Sequence, residues 1–167
     1  QHADLVGELN PNKKVPVLTW GPYKLWESNA IVTYLGERTH RLWPTDAEGK
    51  GRAAKWLFFE ARHLSEPIGE LWFNGYVARQ MDRRPDTLAI ERAEKAGARY
   101  LALVNERLDK QAWMLGDEFS LVDCCYAPVF DALSLAGEYL AAYPAIGRYL
   151  ARTRERRSWK ACGFRTA

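Results

Sequence analysis

No run of apolar residues in this chain approaches the roughly 18 that a membrane-spanning helix needs. The opening Gln1-His2-Ala3-Asp4 has none of the basic-then-apolar character of a signal peptide. A cytoplasmic protein with no membrane contact is therefore expected. Cysteine is scarce: there are three, two of them adjacent as Cys124 and Cys125, and they form neither a metal-ligand spacing nor an even disulfide framework. Reduced thiols and no metal site follow. Net charge is also small, at +3. Much of it comes from Arg148, Arg152, Arg154, Arg156, Arg157 and Lys160, opposed locally by Glu155 alone. A solvated helix face accounts for that run, and the nearby Tyr149, Trp159 and Phe164 follow no nucleic-acid recognition pattern, so no nucleic-acid partner is expected. Internal repeats and low-complexity tracts are absent too.

What the chain does have is an ordinary globular balance, 47% hydrophobic and 27% charged over 167 residues, enough to bury a sizeable core. Two different patterns divide it. Residues 1–41 read as mixed α and β: Leu5, Val6 and Leu9 suggest the tail of a helix that stops at Asn10-Pro11. Residues 15–20 and 23–26 read as short strands joined by Gly21-Pro22. Ala30, Ile31, Tyr34 and Leu35 then recur at helical spacing after Glu27-Ser28-Asn29. A hairpin flanked by two short helices has open edges and little apolar surface, so a further upstream segment is expected to complete it. Residues 42–50, with Pro44 and Gly49 among polar residues, read as a linker.

From 51 to 167 the pattern is helical. Residues 51–80 carry Trp56, Phe59, His63, Trp72, Phe73 and Tyr76, with a kink or break expected at Pro67. Residues 87–110 place Ile90, Ala93, Tyr100, Val104 and Leu108 on one stripe, giving two long antiparallel helices. Ser120-Leu121-Val122-Asp123 opens another helix as a capping box, with Asp123 in the place usually held by Glu or Gln. The fold class is therefore α+β, a small hairpin-containing part followed by an all-helical bundle.

The most specific signal is the pair Asn10-Pro11-Asn12-Lys13-Lys14-Val15-Pro16-Val17-Leu18 and, eleven residues after Pro16, Glu27-Ser28-Asn29-Ala30-Ile31. In order and spacing both halves closely resemble the glutathione-site motifs of the cytosolic glutathione transferase superfamily. The resemblance continues through Gly116-Asp117-Glu118-Phe119-Ser120-Leu121-Val122-Asp123, which looks like that family's folding signature, and covers nearly the whole chain. It implies a partial thioredoxin-like domain, whose first strand-helix-strand unit of roughly 30–40 residues lies upstream of Gln1, followed by the family's helical C-terminal domain.

The resemblance also implies roles. A cis Val15-Pro16 bond would leave the Val15 amide and carbonyl free to pair with an extended peptide. Ser28 would meet the γ-glutamyl carboxylate at a helix start, where free amides and the positive dipole end favour an anion. Glu27 would take the amine or hold the helix entry, and Lys14 the glycyl carboxylate. Taken singly each has a plainer reading: an edge-strand proline, a helix cap, a solvated lysine. The residue that deprotonates the glutathione thiol in this family, a serine, tyrosine or cysteine near the end of the first strand, is expected upstream, so no catalytic residue is named. By analogy Trp56, Phe59, His63 and Trp159 are candidates for an apolar second-substrate pocket, although an aromatic stripe at helical spacing also reads as core.

His2 reads as a terminal histidine, His63 as a core or interface residue, and Cys124 and Cys125 as buried inert thiols. Glutathione serves as co-substrate with no other cofactor, a small hydrophobic electrophile is the second partner, and a homodimer is the family expectation. The fold also serves non-enzymatic proteins tied to transcription and translation. The intact Glu27-Ser28 pair favours the enzyme over relatives of that kind, and a truncated, inactive chain is a further alternative.

Overall fold

The computed structural model describes residues 2–162, with side chains from residue 6 onward. The side chains of His2 and Phe164 lie outside the described residues. Helix α1 (His2–Leu9) ends at Asn10-Pro11, as the proline dictates. Strands β1 (Val17–Trp20) and β2 (Tyr23–Trp26) pair antiparallel in the register Val17↔Trp26 to Trp20↔Tyr23. Gly21 turns the hairpin at φ 58°, where a two-residue loop calls for a positive φ. Helix α2 (Ser28–Thr39) closes on His40 in the left-handed conformation, whose amide returns to the Gly36 carbonyl.

The connection to the bundle is packed rather than loose. Trp43 is buried, donates from Nε1 to Glu37 at 2.9 Å, and lies so close to Gly36 that a Cβ there would stand 2.6 Å from its ring. The Leu42 carbonyl accepts the Leu121 amide at 2.8 Å. Helix α3 (Ala47–Phe59) begins inside the stretch expected to be linker. Asp46 caps it by accepting the Gly49 amide at 2.7 Å, which holds the Asp46 carboxyl below its usual range. Gly49 is no breaker here: a Cβ would meet Pro44 at 2.5 Å, so glycine lets the first turn pack against the proline.

Near Pro67, where the sequence leads one to expect a kink or break, the regular α pattern of the rod from α3 onward is interrupted three residues upstream. A π-turn (Glu60–Leu64) intervenes and the α-helix restarts as α4 (Ser65–Trp72). Pro67 thus falls in the first turn after the π-turn, whose wider hydrogen-bond spacing changes the ladder just before the residue that has no N–H to give. A second π-turn (Phe73–Val77) and a short α5 (Ala78–Gln80) complete the rod. Helix α6 (Thr87–Lys110) is capped by Asp86, which accepts the Leu88 and Ala89 amides at 3.0 Å each. It runs antiparallel to the rod: Phe59 meets Tyr100, Pro67 sits against Gly97, and Asn74 accepts the Asp86 amide.

Helix α7 (Leu121–Ala136) lies at the centre, burying Val122, Tyr126, Phe130 and Leu133 completely. Ser120 and Asp123 form the expected capping box. A 3₁₀ turn (Glu138–Ala142) leads to α8 (Pro144–Glu155) and α9 (Arg157–Ala161). The basic C-terminal run is drawn onto its neighbours rather than forming one solvated strip. Arg148 pairs with Asp109, Arg154 with Asp131 and Lys160 with Glu155, Arg152 donates to the Ala112 carbonyl, and Arg156 lies 3.6 Å over the Phe119 ring. Among the described residues no helix is long and apolar enough to cross a membrane.

Candidate functional site

The hairpin register sets the geometry. Because Val17 pairs with Trp26, the segments just outside that pair, Val15-Pro16 and Glu27-Ser28, leave the hairpin at the same end. The loop before β1 folds around Asn10, which is 2% exposed. Its Nδ2 donates to the Lys14 carbonyl at 2.7 Å and its Oδ1 accepts the Asn12 amide at 2.9 Å, while Lys13 takes a positive φ of 54°. Val15-Pro16 is cis, and Val15 is 76% exposed. Among the described residues no hydrogen bond takes up the Val15 amide or carbonyl. Lys14 is exposed beside it.

Across this end, Glu27 caps α2 in an unusual way. Its backbone is at φ 73°, ψ 115°, a region that non-glycine residues enter at a cost of about 1–3 kcal/mol. No side chain caps the helix, and the first helical bond runs from the Ile31 amide to the Glu27 carbonyl at 2.9 Å. The amides of Ser28, Asn29 and Ala30 therefore have no backbone acceptor among the described residues. Twelve residues of aligned dipoles end here beside an exposed hydroxyl on Ser28. Chemically, this end of the hairpin offers free amides to a carboxylate and an unpaired extended backbone to a peptide.

Three of the four aromatic candidates form a run of ring contacts, Trp56 against Phe59 at 5.4 Å between centroids and Phe59 against His63 at 5.1 Å. Trp56 and Trp159 are core residues, 6% and 9% exposed. Phe59 stands edge-on to Trp56 and Tyr100, and His63 stacks on Tyr100 with ring centroids 4.4 Å apart. His63 lines a groove of about 580 Å³ between the rod and α6 that also includes Arg62, Glu66 and Arg92. A three-residue spacing on a helix carries both residues toward the interior, which is why the stripe reads as core here. Another groove, about 660 Å³ and mostly apolar, is lined by Tyr23, Leu25, Ala30, Tyr34 and the 76% exposed Phe58.

Cys124 is exposed rather than buried, because it shares the outward face of α7 with the exposed Pro128 four residues on. Cys125 is half-buried, and burial followed by the Glu60 carboxylate pushes its thiol up to about 12. At pH 8, Cys125 should therefore react with a disulfide reagent at least tenfold more slowly than exposed Cys162; equal rates in a thiol-release assay would contradict that assignment.

Sequence reasoning missed what three residues do: Asn10 and Asn29, which stand in the quoted motifs without an assigned contact, and the buried Glu60 that Asn29 meets. Asn29 Nδ2 donates to the Leu57 carbonyl at 2.8 Å and to Glu60 Oε2 at 3.1 Å. A polar residue in the first turn after Ser28, facing a lone acid amid apolar residues on the next helix, was the available signal.

Comparison with known proteins places these features. A family model described as the glutathione S-transferase N-terminal domain matches residues 2–37, and one described as the C-terminal domain matches residues 88–152. The disulfide-bond oxidoreductase YfcG of Escherichia coli K12 is 28% identical over 157 residues, covering 89% of this chain and 70% of its own length. A theta class glutathione S-transferase from Xanthomonas axonopodis pv. citri, solved with glutathione bound, superposes with a TM-score of 0.82 at 26% identity, over 98% of this chain and 78% of that one. The hairpin with α1 and α2 is accordingly part of a thioredoxin-like domain, and the helices after it are the helical domain that accompanies it. With the E. coli K12 glutathione S-transferase GstB 32% identical over 152 residues, 89% of this chain and 72% of the relative, the chain belongs to the glutathione S-transferase family.

Proposed function

We propose that this chain binds glutathione at the end of the hairpin from which the Val15 and Ser28 segments leave, and that it serves a transferase in which the glutathione thiolate attacks a small hydrophobic electrophile. The observation that carries the reading is the uncapped start of α2, with free amides and the Ser28 hydroxyl, at the same end as the unpaired backbone of Val15. In this reading Ser28 and the α2 amides hold the γ-glutamyl carboxylate and Glu27 faces its amine. Val15, ahead of Pro16, pairs with the cysteinyl backbone, and Lys14 meets the glycyl carboxylate. The sulfur–carbon bond forms as the leaving group departs with its electron pair. No residue of this chain is assigned to thiol activation.

Residues 1–41 then supply the C-terminal part of the glutathione-binding domain, 42–50 the connection and 51–167 the helical domain. Two copies pair in a reducing cytoplasm, burying the mostly apolar groove around Phe58. The relative that is a disulfide-bond oxidoreductase favours a second reading, in which bound glutathione reduces disulfides.

Isothermal titration with glutathione tests the site. Ser28→Ala should weaken binding about tenfold, equivalent to about 1.4 kcal/mol; unchanged affinity would remove Ser28 from the site. Turnover of a general aromatic electrophile, set against reduction of a small disulfide, separates the two chemistries.

A further inference from the structure

The start of α2 is held from outside its own domain. Where α3 passes into the π-turn, the Trp56 and Leu57 carbonyls accept the Glu60 amide and also side chains from other elements. The Tyr126 hydroxyl on α7 donates to Trp56 at 2.8 Å, and Asn29 on α2 donates to Leu57. Asn29 also donates to Glu60, which is 5% exposed and accepts the Ser65 hydroxyl on its other oxygen. None of the ion pairs among the described residues includes Glu60. A buried acid held by two neutral donors and no cation is costly to keep for packing alone. Asn29 sustains a cost as well, since its Oδ1 is buried without a hydrogen-bond partner.

Two residues before Asn29, Glu27 sits at φ 73°. Strained backbone of this kind persists only where its surroundings over-determine it. The residue on one side of the glutathione-facing Ser28 is strained, and the residue on the other is anchored to the helical domain. From this arrangement we infer that Asn29 and Glu60 are positioning residues: the π-turn of the helical domain, through Glu60 and Asn29, fixes the Glu27-Ser28 corner in the orientation that receives glutathione. Freed of the anchor, Glu27 relaxes toward the extended conformation usual at a helix cap, and the Ser28 hydroxyl turns away from the ligand. Nothing but glutathione binding at Ser28 is assumed, so the inference rests on the function proposed above.

The test is a double-mutant cycle between Asn29 and Ser28, read as glutathione affinity by isothermal titration calorimetry on the 167-residue chain well below its melting temperature. Asn29→Ala is expected to weaken binding about tenfold, and Ser28→Ala to cost about tenfold in the native background but less than threefold once Asn29 is alanine. A role in stability alone lowers the melting temperature without changing the cost of Ser28→Ala, so an equal cost in both backgrounds overturns the inference while leaving the site intact. Absence of glutathione binding by the native chain overturns the site itself. Should Asn29→Ala fail to fold, Glu60→Gln replaces it in the cycle, keeping volume while presenting a donor to one of its two partners, with the same outcomes.

Discussion

Asp123→Ala is expected to cost the fold about 3–5 kcal/mol, because it removes a buried acceptor from two backbone amides and a hydroxyl at once. Asp123 is fully buried; Oδ1 accepts the Met114 amide at 2.9 Å, and Oδ2 accepts the Ser120 amide and hydroxyl at 2.8 Å each. Truncation leaves those amides dry and unpaired. In a domain of this size the melting temperature should fall on the order of 10 °C, read by far-UV circular dichroism. Asp123→Asn retains one acceptor oxygen and should lose about half as much. A loss under about 1 kcal/mol for the alanine variant would mean that the loop before α7 finds other acceptors.

The same carboxyl has an unusual pH signature. Burial pushes its pKa above the usual 3.8, while the bonds from Met114 and Ser120 pull the other way. The folded chain therefore holds this proton more tightly than the unfolded one. In the window just above pH 3.8 the folded state binds more protons, so the stability owed to this group falls as pH rises through the folded pKa and grows as pH is lowered. The stability difference between the native chain and Asp123→Asn should widen between pH 7 and pH 4, opposite in sign to an ion-paired aspartate.

Gly75→Ala is expected to destabilise by about 2–3 kcal/mol even though alanine is the better helix former. Gly75, in the second π-turn, lies against the carbonyl of Ala136 at the end of α7, and a Cβ on it would overlap that oxygen. The neighbour is backbone and cannot rotate aside, so the rod and α7 must separate. Gly69, in α4, faces open space, with nothing within 4 Å of where a methyl group would stand. Gly69→Ala should gain up to about 1 kcal/mol. Thermal melts of the pair check the contrast, and two shifts of the same sign would refute it.

Elements whose signals are local were legible from the sequence. The Asn10-Pro11 stop, the Gly21 hairpin turn and the Ser120–Asp123 box each follow from residues within four positions of one another. The start of α3 was not, because Gly49 serves packing against Pro44 rather than breaking a helix. The π-turn was invisible for a related reason: the Trp56 and Leu57 carbonyls just ahead of it also accept Tyr126 and Asn29, which lie about 70 and 30 residues away in the chain on either side of it. For the candidate site, Val15-Pro16 and Glu27-Ser28 could be read from motif spacing. Asn10 and Glu60 could not, since their work depends on burial. The aromatic spacing of Trp56 and Phe59 did not decide between two readings, because core packing and a ligand pocket ask for the same pattern.

Trp56 sits at the junction where Tyr126 and Asn29 bring α7 and α2 onto adjacent carbonyls. In a variant that keeps Trp56 as its sole indole among the chain's seven tryptophans, light emitted from the middle of the bundle would report how firmly the small hairpin part is seated, with no dye introduced.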